Sequence, residues 1–222
     1  NLGIGFDQMI HIGAPSKDNR DFAVKFYNTD GGKANMCLNG VRCAATYVWD
    51  NKFAPKRTLI FQTKKIDVEC RPLKEGVEVI LKNPTYFISK DLEKKLSKVI
   101  KTSFKLVDLG NLHLCIQEKR IDQFDLNGLY KKLEALLRPL GINLSIYSKD
   151  KDSYNIRTYE NGVGETLSCG SASFSVAYLC LKDEIKKTTI KSSGGSIKFT
   201  KLDGRILMSG PTKFVYSGSF HE

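Results

Sequence analysis

The 222-residue sequence lacks any apolar run long enough to cross a membrane and any secretory signal pattern. It also lacks a CxxC pair and a His/Cys cluster with the spacing of a zinc site. These absences argue against a helical membrane protein and against a bound metal. They make six reduced cysteines in a cytoplasmic chain the simplest interpretation. Because the sequence begins at Asn1 rather than Met, we expect a fragment, or the ordered part, of a longer chain.

The charge balance is strongly positive, at +11, from 35 Lys and Arg against 24 Asp and Glu. Such a balance suggests nucleic acid or an acidic substrate as a partner. The lysines are scattered, however, and their densest run, Lys90–Lys101, falls on a predicted surface helix. No zinc-finger or RNA-binding signature accompanies them. We therefore interpret the lysines as a solvated surface and expect neither a nucleic-acid nor a membrane partner.

Two stretches of the sequence match each other. Tyr27–Val48 reads YNTDGGKANMCLNGVRCAATYV, and Tyr159–Leu181 reads YENGVGETLSCGSASFSVAYLCL. In each, a Tyr precedes a Gly-containing loop, and a Cys, Cys37 or Cys169, follows ten residues after the Tyr. Apolar residues at helical spacing come next. The pattern predicts two similar halves, each with a thiol at the start of a helix.

A helix N-terminus offers free N–H groups and about half a positive charge. Both favour a thiolate, so we expect the pKa of Cys37 and Cys169 to fall from about 8.5 toward neutrality. The same N–H groups bind carboxylates. Two such sites facing each other would hold one acidic substrate between two sulfur acid/bases. The competing interpretation is that both cysteines are ordinary buried core residues.

Several motifs are similar to signatures of the diaminopimelate epimerase family. NMCLNGVRC and YENGVGETLSCGSAS resemble its two cysteine motifs. Four further segments resemble other signatures in the same order: GFDQ (Gly5–Gln8), FYNTDG (Phe26–Gly31), GNLH (Gly110–His113) and SGPTKFVYSG (Ser209–Gly218). The resemblance covers most of the chain and implies an α+β fold of two pseudo-symmetric halves. Each half is expected to be a mostly antiparallel sheet or barrel wrapped on a central helix.

The local patterns agree with this architecture, since runs of alternating apolar residues separate helical periodicities. Asn83-Pro84 breaks the pattern and is a plausible boundary. We predict a first half at residues 1–83 plus 211–222, carrying Cys37, and a second half at 84–210, carrying Cys169. The final run, Lys213–Tyr216, is predicted to be a strand that returns to the first half.

The resemblance also implies roles for individual residues. Cys37 and Cys169 match the two acid/bases, and His113 and Glu160 match residues that support their proton transfers. The positions matching substrate contacts are Gln8, Asn28, Leu38, Asn39, Asn111, Asn143, Glu160, Asn161, Gly170 and Ser171. Without the resemblance, His113 would be read as a structural histidine, and the asparagines as turn or cap residues.

Three features depart from the family pattern. The family has Gly after the first Cys, where this chain has Leu38, whose side chain we expect to crowd the loop. It has Arg after the Glu of the second motif, where this chain has Asn161. That Arg pairs with the carboxylate at the substrate's far end, which Asn cannot do in the same bidentate way. An N-terminal family segment with another substrate-contacting Asn is not found in this sequence.

The activity implied is that of an isomerase: interconversion of LL- and meso-diaminopimelate, in lysine and peptidoglycan biosynthesis. Two thiols on opposite faces of the α-carbon need no cofactor, unlike pyridoxal phosphate chemistry, for which no phosphate-binding glycine loop is found. The alternatives are a two-cysteine racemase of another amino acid, such as histidine, favoured by Asn161, and a non-catalytic binding homologue. A thiol-redox protein is a more remote alternative. A homodimer is expected from the family alone.

Overall fold

The computed structural model describes residues 5–29 and 31–219, and these residues form fifteen strands and four helices. The strands are β1 (Gln8–Gly13), β2 (Phe22–Asn28), β3 (Lys33–Ala34), β4 (Leu59–Gln62), β5 (Asp67–Pro72), β6 (Val77–Lys82), β7 (Thr85–Tyr86), β8 (Phe104–Asp108), β9 (Leu112–Gln117), β10 (Asn143–Asp150), β11 (Ser153–Glu160), β12 (Gly164–Thr166), β13 (Lys187–Ser192), β14 (Gly195–Leu202) and β15 (Arg205–Gly210). The helices are α1 (Leu38–Asp50), α2 (Lys90–Val99), α3 (Leu126–Leu137) and α4 (Gly170–Cys180), and a 3₁₀ turn (Arg138–Leu140) follows α3.

Local sequence explains where the two surface helices begin. The Ser89 hydroxyl accepts a hydrogen bond from the Leu92 N–H at the start of α2, and Asp125 accepts one from the Gly128 N–H at the start of α3. Both are N-cap residues that satisfy otherwise free donors. The N-cap residues of the two inner helices, α1 and α4, are the two cysteines, Cys37 and Cys169.

One arrangement of elements occurs twice. β1, β2, β3, α1, β4, β5 and β6 are matched in order by β10, β11, β12, α4, β13, β14 and β15. In each set the first two strands are antiparallel, the short third strand pairs with the second, and the helix crosses over to a strand parallel to the second. Two more antiparallel pairs complete each set. The predicted α+β fold with a repeated unit is therefore confirmed.

The two sets join through antiparallel pairing of β6 with β15, in a continuous path from β1 at one edge to β7 at the other. One hydrophobic core combines α1, α4 and strands from both sets, so it extends across the junction. A second core lies under α2 and α3. The helices that carry the thiols are thereby packed at the centre of the molecule.

The final segment differs from the prediction. Lys213–Tyr216 is not a strand, and the side chains of Phe214, Val215 and Tyr216 are exposed. The segment follows Pro211, which lacks an N–H to continue the ladder, and Thr212 is fixed instead by a 2.7 Å hydroxyl contact with Thr46 of α1.

The division into halves at residues 83 and 210 stays a prediction. Residues 1–4 and 220–222 of the predicted first half lie outside the described residues, as does Asp30 of the FYNTDG motif. No helix in the described ranges has the length and apolar character needed to cross a membrane.

Candidate active site

The first thiol is the N-cap of α1. Cys37 has an extended backbone, and its Sγ accepts a hydrogen bond from the Gly40 N–H at 3.2 Å. Gly40 is itself tightly enclosed, since an added Cβ would lie 2.8 Å from the Phe26 ring and 3.3 Å from Ile10. The lack of a side chain at Gly40 thus allows α1 to pack closely on β1 and β2.

The second thiol occupies the equivalent position on α4. Cys169 is buried, and its Sγ lies 3.5 Å from the Ser171 hydroxyl. That hydroxyl also accepts a hydrogen bond from the Asn111 amide at 3.2 Å. Cys169, Ser171 and Asn111 therefore form one polar cluster.

The starts of the two cysteine helices touch each other. The Asn39 amide donates to the Ser168 carbonyl at 3.5 Å, which joins the second residue after Cys37 to the residue before Cys169. A Cβ on Gly170 would lie 2.8 Å from Asn39 Oδ1 and 3.1 Å from Leu38 Cβ. Leu38 itself packs into the core, 1% exposed, so the glycine opposite makes room for it.

The expected lowering of the thiol pKa is wrong. Burial raises the pKa of Cys37 to about 11, although the Gly40 N–H opposes the shift. Burial likewise raises the pKa of Cys169, with the charge of Glu160 adding to the effect. Loss of hydration disfavours a thiolate more than a helix N-terminus favours it here. Both thiols are consequently protonated at neutral pH in this state.

Glu160 is the charged group that acts on both thiols. Its negative charge raises the pKa of Cys37 and of Cys169, so it lies within electrostatic reach of each. The carboxylate is held by the Thr166 hydroxyl, which donates to Oε1 at 2.7 Å. This hydrogen bond spans the β11–β12 hairpin, in which Glu160 is opposite Gly164. A carboxylate so placed opposes thiolate formation while it stays charged, and it can accept a thiol proton.

His113 is wholly enclosed. It lies on β9 with 0% of its surface exposed, and neither ring nitrogen has a hydrogen-bond partner in the described part of the chain. Burial lowers its pKa to about 3, so the imidazole is neutral at physiological pH. Its backbone position is opposite Asn143 in the parallel β9–β10 pair. Its role beside the thiols stays a prediction.

The side chain of Asn161 is directed toward α3. Its Oδ1 accepts from the Tyr130 hydroxyl at 3.3 Å, and its Nδ2 donates to the carbonyls of Leu137 and Arg138 at 3.4 and 3.2 Å. Its backbone N–H donates to Asn143 Oδ1 at 2.9 Å. The side-chain amide is thus engaged with the C-terminal end of α3.

The remaining polar residues divide into two groups. Gln8 and Asn28 pair with each other, amide to carbonyl oxygen at 2.9 Å, on adjacent strands β1 and β2. Asn39 and Asn111 each keep a buried Oδ1 that has no hydrogen-bond partner among the described residues. Two free acceptors beside the thiols suit a ligand that brings donors, such as an ammonium group.

The comparisons with known proteins agree with this geometry. A family model described as diaminopimelate epimerase matches residues 1–85. The diaminopimelate epimerase of Hydrogenobaculum sp. is 30% identical over 227 residues, with 98% of this chain and 82% of that protein covered. That of Methanococcus maripaludis is 30% identical over 243 residues, covering 98% and 86%. The chain belongs to the diaminopimelate epimerase family.

Solved structures support the same fold. A phenazine biosynthesis PhzC/PhzF protein from Clostridium difficile superposes with a TM-score of 0.69, over 97% of this chain and 83% of that one, at 14% identity. A hydroxyproline epimerase from Agrobacterium vitis gives a TM-score of 0.61 over 95% and 74%, also at 14% identity. At this identity the likeness concerns the fold alone.

Membership of the diaminopimelate epimerase family confirms the resemblance predicted from the two cysteine motifs, and it makes the chain an isomerase. All six cysteines are free, and no group of three or more His, Cys, Asp or Glu in the described ranges could hold a metal. Sequence reasoning missed three residues that complete the site: Ser168, Thr166 and Tyr130. Ser168 and Thr166 lie inside the second cysteine motif, and Tyr130 lies on α3.

The buried His113 generates a prediction for acid stability. Its pKa is about 3 in the folded protein against 6.5 when unfolded, so its contribution to stability is complete above pH 6.5 and is lost as pH falls toward 3. In His113→Leu that loss disappears. As the pH falls through this range, we expect the unfolding free energy of the variant to rise relative to that of wild type by about 1.4 kcal/mol per pH unit. Urea titrations from pH 7 to pH 3 measure it.

His11→Gln, which removes an exposed imidazole, is the control in the same series. Parallel stability curves for wild type and His113→Leu would show that His113 is charged or solvated in the folded state.

Proposed function

We propose that this chain interconverts LL- and meso-diaminopimelate by a cofactor-independent, two-base mechanism. The observation that carries the proposal is the contact between two helix starts, each of which opens with a thiol. One sulfur, as thiolate, removes the α-proton from one face, and the other, as thiol, donates to the opposite face. The roles exchange in the reverse direction, so configuration inverts without an electron sink.

Backbone donors supply the electrostatic part of the mechanism. The starts of α1 and α4 are in contact, so N–H groups of both helices could together stabilise charge that develops on the substrate carboxylate. At the start of α4, Gly170 and Ser171 would let the substrate carboxylate approach the backbone. At the start of α1, Leu38 retains its backbone N–H. The unpartnered Oδ1 atoms of Asn39 and Asn111 are suited to the substrate ammonium.

The raised thiol pKa assigns a task to Glu160. A thiol with a pKa of about 11 has to lose its proton before it can act as a base, and each pKa unit above the working pH costs about 1.4 kcal/mol. Glu160 acts on both sulfurs through its charge and shares a hydrogen bond with Cys169, so it is placed to accept the proton of Cys169. Its own charge is then neutralised, which removes its opposition to the thiolate.

The names of the relatives support diaminopimelate as the substrate, since they are called diaminopimelate epimerases. We place the reaction in the cytoplasm, because both thiols must stay reduced and all six cysteines are free. The pathways served would be lysine and peptidoglycan biosynthesis.

A second candidate is favoured by the hydrogen bonds of Asn161. Its amide is used entirely on Tyr130 and on two carbonyls at the end of α3, and it carries no charge to pair with a second substrate carboxylate. A racemase acting on an amino acid without that carboxylate, such as histidine, would use the same thiol pair with this neutral far end.

The chemistry is tested by α-proton exchange in D₂O, followed by NMR under reducing conditions. Separate samples hold LL-diaminopimelate, L-histidine, L-glutamate and L-lysine. We expect exchange with inversion of diaminopimelate, no inversion in Cys37→Ala or Cys169→Ala, and at most a trace in the Ser variants, because an alcohol is a far weaker acid at neutral pH. Cys43→Ser, at an exposed cysteine, is the matched control. Full inversion in either Ala variant would refute the two-base mechanism.

The two candidates are separated by Asn161→Arg. A guanidinium at this position adds a contact remote from the reacting carbon, so we expect KM for diaminopimelate to fall roughly tenfold while kcat changes little. Wild-type exchange of histidine but not diaminopimelate would establish the second candidate. Asn161→Gln controls for loss of the hydrogen bonds to α3. An unchanged KM in the Arg variant would mean that position 161 does not contact the far end of the substrate.

We also propose a homodimer. Phe214, Val215 and Tyr216 are 67%, 79% and 61% exposed. Phe214 and Val215 border a groove of about 510 Å³ together with α1 and with Ile10 and Ile12 of β1, the edge strand of the sheet. An apolar surface next to an unpaired strand edge suits a second copy of the same chain.

Sedimentation equilibrium tests the dimer. We expect twice the 24.9 kDa chain mass for wild type and the single mass for Phe214→Lys, which places a charge in the apolar surface. Leu202→Lys, at another exposed apolar residue on β14, should remain dimeric. A monomeric wild type would exclude the assembly.

A further inference from the structure

The Glu160 carboxylate has two side-chain partners in the described part of the chain. The Thr166 hydroxyl donates to its Oε1 at 2.7 Å, and the Cys169 thiol shares a hydrogen bond with the same carboxylate. Hydrogen bonds to a charged oxygen are short and about twice as strong as those between neutral groups. Thr166 is therefore the group that fixes the carboxylate beside the sulfur, and the proposed mechanism gives it no task.

The direction of the Thr166 hydroxyl is fixed by its surroundings. Thr166 lies on β12, and a β-branched side chain on a strand has few χ1 rotamers. The preceding residue, Glu165, accepts two hydrogen bonds from the Arg157 guanidinium, at 2.6 and 2.9 Å. Arg157 also donates to the carbonyls of Ile121 and Phe124, at 2.5 and 2.8 Å. The strand that carries the hydroxyl is thus tied to β11 and to the loop before α3.

The repeated unit offers a comparison within the chain. Counted back from each thiol, Thr166 corresponds to Ala34, and the strand pairing places the two alike. Glu160 likewise corresponds to Asn28, whose Oδ1 accepts a hydrogen bond from Gln8 instead. The first unit thus has neither the carboxylate nor the hydroxyl, and the second unit has both. Because the fold accepts Ala at this position in the first unit, the hydrogen bond explains the hydroxyl better than packing does.

We propose that Thr166 is a positioning residue for proton transfer at Cys169: its hydroxyl holds the Glu160 carboxylate where it takes the thiol proton. The inference rests on the proposed two-thiol function. In this step the S–H bond of Cys169 breaks, the sulfur keeps the electron pair, and the proton forms an O–H bond with Glu160. The carboxyl group returns the proton when the sulfur is reprotonated. Without the hydroxyl the carboxylate is free to rotate away from the sulfur, so the thiolate forms less often.

The kinetics of inversion test this role. Thr166→Val removes the hydroxyl and keeps the branched shape, and Thr166→Ser keeps the hydroxyl. With the amino acid that wild type inverts, we expect kcat of the Val variant to fall roughly 10- to 100-fold, the effect of losing a hydrogen bond to a charged group. KM should change little, because the hydroxyl donates to Glu160. The Ser variant should keep most of kcat, and Thr200→Val, at a half-buried threonine on β14, should match wild type.

The S–H stretching band in the infrared tests the placement of the carboxylate without turnover. The band of Cys169 is isolated by subtracting the spectrum of the Cys169→Ala form of each variant. Since a weaker hydrogen bond raises the stretching frequency, we expect the Cys169 band to move up in Thr166→Val and to stay in place in Thr166→Ser. The measurement needs no substrate, so it locates the carboxylate even if wild type inverts no amino acid, a result that would defeat the proposed function alone.

Three outcomes would overturn the proposal: an unmoved Cys169 band in Thr166→Val, an unchanged kcat in that variant, or a Ser variant as slow as the Val variant. Circular dichroism at the assay temperature establishes that each variant is folded. If Thr166→Val does not fold, Thr166→Ala, which introduces the side chain found at Ala34 in the first unit, takes its place with the same expectations.

Discussion

The site depends on one close contact, in which the start of α4 lies against the start of α1. Two helix N-termini repel each other electrostatically, and side chains at their first turns would normally keep them apart. Gly170 removes the obstacle, because its Cβ would collide with Asn39 and press on Leu38. The Asn39 amide then joins the two starts through the Ser168 carbonyl. The repeated strand order delivers each helix to the shared core, and this contact brings their thiols to one place.

Close packing has an electrostatic consequence. The burial that brings the sulfurs together also removes the water that would stabilise a thiolate, and the pKa of each thiol rises. Helix N-termini offset this only in part. Among the charged side chains, Glu160 acts on both sulfurs, and its negative charge raises the pKa of each thiol further.

Features set by local sequence could be predicted, and those set by tertiary contacts could not. The helices after Cys37 and Cys169 follow from apolar periodicity and from a matched loop, both of which are local. The two- and three-residue strands β3, β7 and β12 exist only through pairing with β2, β8 and β11, so no run of residues announces them. The thiol pKa was mispredicted because burial is a property of the whole fold.

The far end of the site can change without disturbing the thiols. Asn161 lies one residue beyond Glu160, yet its amide bonds to the last carbonyls of α3 and to Tyr130, which stacks on Tyr159 at 3.8 Å between ring centroids. A helix C-terminus favours a positive charge, so the fold would accept the arginine that the family pattern has at this position. Packing therefore does not account for the asparagine. We therefore propose that the asparagine reflects the chemistry offered to the end of the substrate that does not react.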